Sequence, residues 1–65
     1  MTLDEARNLK IGEKVMTKMH GYELEVHGLH EHISWTNGKT TIYVRCKDEN
    51  GMLMKYKHKE LSRIS

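Results

Sequence analysis

Five histidines in a chain of 65 residues are the first candidates for chemistry. His30 and His32 flank a single residue, so on a strand both rings lie on one face. His27 stands close by, and His20 falls in the segment before it. Neutral imidazoles bind zinc, and three of them with an open fourth position make a catalytic site. The two strand histidines supply half of a coordination sphere, and no neighbouring Asp or Cys completes it. The expectation is solvated surface histidines and no metal. Cys46 is the one cysteine. A lone cysteine excludes an internal disulfide and a Cys-type zinc site, and its apolar parity on a strand reads as a small buried hydrophobe. The lack of disulfide staples favours a reducing cytoplasm. No Ser/His/Asp or Cys/His arrangement is legible, and His58 beside Glu60 reads as a helix cap rather than a base. So small a core leaves little interior for a polydentate catalytic cleft. We therefore expect no enzyme, no cofactor and no metal.

The second group of candidates is cationic. The net charge is +2, and it is uneven. Residues 1–33 carry four Lys/Arg against six Asp/Glu, and residues 34–65 carry seven against three. Tyr43, Arg45 and Lys47 alternate on one segment, and Lys55 and Lys57 on the next, a spacing that puts all five on one face of a hairpin. A cross-strand Arg45–Lys55 pair would cost a few tenths of a kcal/mol, roughly, unless solvated or neutralised. A face that tolerates it suits phosphate, and Tyr43 among the cations could stack on a base. The plainer reading of the same residues is solubility and edge protection.

The elements that must carry these residues are short. Thr2 followed by Glu5 is a capping box, and Leu3, Ala6 and Leu9 follow on one stripe. A helix within 2–9, ending near Asn8, is too short to stand alone and must pack on the rest. Ile11 to Met16 leads into the first strand. Leu24 and Val26 alternate against Glu23, Glu25 and His27, and the parity flips after Gly28 to Leu29 and Ile33. One extra residue at a bulge repairs that flip. Asn37-Gly38 predicts a two-residue hairpin. Its register would pair Ile33 with Ile42, His32 with Tyr43 and His30 with Arg45, leaving Glu31 inward opposite Val44. Ile42, Val44 and Cys46 then face inward. Asp48 to Gly51 predicts a type I turn with Gly51 left-handed, pairing Cys46 with Met54 and Val44 with Tyr56. His58-Lys59-Glu60 gives one helical turn and Leu61 to Ile64 a last strand. The core is expected to hold Leu24, Val26, Ile42, Val44 and Met54, with methionines Met16, Met19 and Met52 filling gaps in a chain that has no Phe.

This order, a short helix and five strands with a one-turn helix before the last, is that of a mainly β, SH3-like five-stranded barrel, with 1–65 a single domain. Lys47-Asp48-Glu49-Asn50-Gly51 and Tyr56-Lys57-His58-Lys59-Glu60-Leu61 resemble small SH3-like proteins of phage and prophage type, YorP-like. Gly12-Glu13-Lys14-Val15 resembles the opening of a KOW-type nucleic-acid module. Neither resemblance supplies an activity. Trp35 stands where a loop borders the ligand groove in signalling SH3 domains. A proline-peptide groove needs several clustered aromatics, and Tyr22, Trp35, Tyr43 and Tyr56 are too few.

The expected function is a non-catalytic binding module that holds nucleic acid weakly through a basic three-stranded face: Tyr43, Arg45, Lys47, Lys55, Lys57, His30 and His32. The alternative is a protein-binding accessory module, such as a phage-encoded inhibitor of a host protein, using Trp35, Tyr22 and neighbouring loops. A third, metal-dependent hydrolysis at the histidines, ranks below both. No apolar run approaches the roughly 20 residues of a membrane span, and the acidic opening is unlike a signal peptide. A cytoplasmic monomer or weak homodimer is expected.

Overall fold

The computed structural model describes residues 1–64. The fold is mainly β: one five-stranded antiparallel sheet, one short helix and a single 3-10 turn. Helix α1 (Leu3–Arg7) starts at the capping box, in which the Glu5 N–H donates to the Thr2 hydroxyl at 3.1 Å and the Thr2 N–H to the Glu5 carboxylate at 2.9 Å. Ala6 of the helix and Leu9 just beyond its end are buried against the core, and Leu3 is half-buried.

The strands are β1 (Lys14–Thr17), β2 (Glu23–Ile33), β3 (Thr40–Lys47), β4 (Leu53–Lys57) and β5 (Leu61–Arg63), with the 3-10 turn at His58–Glu60. They pair in the order β4-β3-β2-β1-β5. Among the described residues no ladder joins the two ends of that order. The core is Ala6, Leu9, Val15, Leu24, Val26, Ile42, Val44, Cys46 and Leu61. It contains no methionine. Met16 is half-buried, while Met19, Met52 and Met54 are exposed, Met54 by 41%. The expected gap-filling role fails because aliphatic residues of β1, β2, β3, β5 and α1 already meet one another. Met19 and Met52 lie in loops, and Met54 sits on the terminal strand β4.

The bulge in β2 falls between Val26 and Gly28, as the parity flip requires. The β3–β4 hairpin has the expected register, with Cys46 opposite Met54 and Val44 opposite Tyr56. Gly51 takes φ +84°, and the Asp48 carboxylate accepts the N–H groups of Asn50 and Met52, both at 2.9 Å.

The β2–β3 hairpin differs from expectation. Its connection spans 34–39, and the pairs are Ile33–Thr40, His32–Thr41, Glu31–Ile42, His30–Tyr43, Leu29–Val44 and Gly28–Arg45. The register is therefore two residues away from that of a tight Asn37-Gly38 turn. The cause lies in the loop. The Gly38 N–H donates to the Ser34 carbonyl (3.0 Å) and the Ser34 N–H to the Lys39 carbonyl (2.8 Å). The Lys39 N–H goes to the Asn37 side chain (2.9 Å), and Gly38 takes the left-handed φ of +68°. Asn37-Gly38 thus closes a longer loop. A slip of two preserves parity, so every residue keeps its predicted face. Glu31, on the inward parity, sits at a rim where the Arg7 guanidinium donates to its carboxylate at 2.8 Å.

Candidate nucleic-acid interface

The outward face of β2, β3 and β4 brings the expected cations together. Arg45 lies opposite Lys55, Tyr43 opposite Lys57 and Lys47 opposite Leu53. All four cations are exposed and Tyr43 is half-buried. On the β2 side, the slipped register sets His30 opposite Tyr43 and His32 opposite Thr41, with Gly28 opposite Arg45. The expected rows of His30 with Arg45, and of His32 with Tyr43, are thereby corrected by two residues. Both histidines still flank the tyrosine. The ring centroids lie 6.5 Å (His30) and 6.4 Å (His32) from that of Tyr43. Lys55 Nζ stands 5.1 Å over the Tyr43 ring, a cation–π contact.

Gly28 also helps to shape this face. A Cβ there would lie 3.6 Å from the Arg45 Cδ, so the arginine stem runs directly over the bulge. The carboxylate that the ladders bring to this face is Glu25, opposite Lys47. It is already engaged, by Lys14 at 3.5 Å and by the His27 ring at 2.8 Å. Hydrogen bonds from His27 and then Lys14 hold the Glu25 carboxyl below its ordinary value. Among the described residues, Arg45, Lys47, Lys55 and Lys57 take part in no ion pair. The face is a cationic surface around an aromatic ring, with its nearest acid occupied elsewhere.

Tyr22 and Trp35, the two residues of the protein-binding alternative, stand at opposite ends of β2. Tyr22 is 60% exposed and lines a cleft of about 740 Å³ between the β1–β2 loop and the β3–β4 hairpin, with Leu24, Met54 and Tyr56. Its ring stacks on His20 at 5.1 Å. Trp35, in the 34–39 loop, is 99% exposed.

Among the described residues, two titratable side chains are buried. Cys46 is fully buried, and burial pushes its thiol up to about 11, which keeps it protonated and inert. His58, read from sequence as a cap, is buried, and its Nδ1 accepts the Ile42 N–H at 3.2 Å. The cap of that turn is made instead by Glu60, whose carboxylate accepts the Lys57 N–H at 3.1 Å. Nothing in the local sequence distinguishes a histidine that seals a β3 amide from one in water. Among the described residues, no three His, Cys, Asp or Glu side chains are grouped to hold a metal ion. Among the described residues, no helix is long and apolar enough to cross a membrane. No protein-family model matches the chain, nor does any curated protein or solved structure.

Proposed function

We propose that the chain is an SH3-like barrel acting as a non-catalytic binding module, and that it holds nucleic acid through the outward face of β2, β3 and β4. The fold half of this reading is supported by the element order, a helix and five strands with a one-turn helix between the last two. The functional half rests on one observation. Four cations share a face with Tyr43 while the carboxylate opposite Lys47 is bound to Lys14 and His27. Like charges left without acids on a folded surface favour a polyanion, and release of its counterions drives the association.

The test is a salt titration. Four phosphate contacts give a log–log slope of about −2.8 to −3.6, so affinity falls about fiftyfold to 150-fold between roughly 50 and 200 mM salt. Binding is nearly independent of base sequence, because the contacts are to the backbone. Absence of binding by single or double strands at about 100 µM protein and low salt, the weak end of non-specific affinities, sinks the reading.

A second reading, a protein-binding module, is favoured by the cleft at Tyr22, where the exposed Tyr22 and Met54 and the half-buried Tyr56 stand together. There Tyr22→Ala, not Lys55→Gln, abolishes capture of a protein partner that survives nuclease treatment.

A further inference from the structure

We propose that the polyanion is single-stranded, and that Trp35 and Tyr43 are two stacking platforms for unpaired bases on one ribbon. This rests on the nucleic-acid reading above and adds the strand form and a residue outside the basic face. The β2–β3 hairpin is the longest pair of strands in the fold, and its distal part runs out from the core. His30, Glu31, His32 and Ile33 are all exposed. Trp35 sits at the tip of that hairpin and is 99% exposed. An indole wholly in water contributes no burial to the fold.

The tip is not slack. Backbone bonds Gly38–Ser34 and Ser34–Lys39 close it, and the Ser34 and Thr36 hydroxyls lie 3.2 Å apart. A ring held on an ordered tip loses little freedom when a base stacks on it.

The backbone path between the two residues matches a short strand. Tyr43 is three residues along β3 from Thr40, which pairs with Ile33 at the end of the ladder. At about 3.4 Å per residue that is about 10 Å, and the two residues from Ile33 to Trp35 extend it to at most about 17 Å. At about 3.4 Å per stacked nucleotide, the span corresponds to about three to five nucleotides. On the outward face His30 stands opposite Tyr43, and His32 lies one step nearer the tip. A base reaching Tyr43 takes the place of the Lys55 ammonium over the ring, and the released ammonium meets a phosphate. Duplex bases are already stacked and paired, so they present no free face to either ring. That asymmetry selects single strands.

Trp35 is the only tryptophan, so its fluorescence reports this contact without a label. The probes are a single-stranded oligonucleotide of about 12 residues, within the span of known single-strand sites, its duplex and inorganic polyphosphate. The expected result is quenching of Trp35 by the single strand, with the affinity measured independently by anisotropy, and none by polyphosphate, which has charge and no bases. Trp35→Ala should weaken single-strand binding by about five- to hundredfold while leaving polyphosphate binding and the thermal midpoint unchanged. Single-strand binding without quenching, or Trp35→Ala binding as tightly as wild type, overturns the stacking proposal and leaves the basic face standing. Equal affinity for duplex and single strand also overturns it. Failure of all three probes to bind removes both readings.

Discussion

The amide of Ile42 donates to Nδ1 of His58 across 3.2 Å, in the interior between β3 and the 3-10 turn. The bond joins β3 to the segment that turns the chain into β5. It requires a neutral ring, because a proton on Nδ1 leaves the amide with no acceptor. Burial, the largest cause, lowers the His58 pKa from its ordinary 6.5, and the charges of Lys59 and Lys18 push the same way.

The first prediction is therefore a pH dependence. With the folded value depressed, the unfolded chain takes up a proton that the folded chain refuses. The stability linked to His58 is fully present above about pH 6.5 and is lost as pH falls from there through the lower folded value. His58→Asn can keep an acceptor for Ile42 without titrating in this range. Urea midpoints for wild type should drop more steeply between about pH 7 and 5 than those for His58→Asn. Parallel curves would show that His58 stays uncoupled from folding. His58→Leu, which leaves the Ile42 N–H buried and unpaired, should cost about 1–3 kcal/mol at neutral pH.

A second prediction concerns Arg7 and Glu31, the contact that settles a carboxylate on inward parity. Their side chains are 49% and 44% exposed, so solvent screens much of the attraction. A double-mutant cycle with Arg7→Ala and Glu31→Ala should give a coupling of about 0.2–1 kcal/mol that shrinks in high salt. A salt-independent coupling well above that range would mean that the rim excludes water.

The contrast between face and register explains how far the sequence could be read. Alternation revealed which residues point inward, since parity survives a slip of two, and so Leu24, Val26, Ile42 and Val44 came out correctly. Asn37-Gly38 is compatible with both a tight turn and the end of a longer loop. The choice was made by bonds from Ser34 that no local pattern announces. The methionines depart from expectation for a related reason: hydrophobicity says that a side chain can be buried, while position on the terminal strand or in a loop decides whether anything covers it. The cations of the candidate face were legible because β3–β4 kept its register. The engagement of Glu25 by Lys14 and His27 was not, because it links β1 to β2 across a bulge.

Val44 supplies the third prediction. It is fully buried at the centre of β3, between Leu29 and Tyr56 on the neighbouring strands. Val44→Ala should cost about 1–3 kcal/mol through lost burial and a cavity. Met54→Ala, on a 41% exposed side chain, should cost clearly less. Equal losses in chemical denaturation would place Met54 in the core after all.

The last prediction separates charge from stacking on the candidate face. Lys55 and Lys57 stand opposite Arg45 and Tyr43, and no acid pairs with either among the described residues. Replacing both by Gln removes two phosphate contacts, so the log–log salt slope should flatten by about 1.4 to 1.8. It should also relieve the like-charge pairing of Lys55 with Arg45, so the fold should gain or hold stability while affinity falls. Tyr43→Ala should act the other way round: the slope is retained, because every cation is still present, and single-strand affinity drops by about five- to hundredfold. Lys55 loses its seat over the ring in that variant, and the freed ammonium stays available to phosphate. Salt slopes measured for the two variants side by side decide the matter. If the Gln pair leaves the slope unchanged, the polyanion is held elsewhere on the molecule. If Tyr43→Ala flattens it as much as the Gln pair does, the ring is positioning the lysines rather than meeting a base.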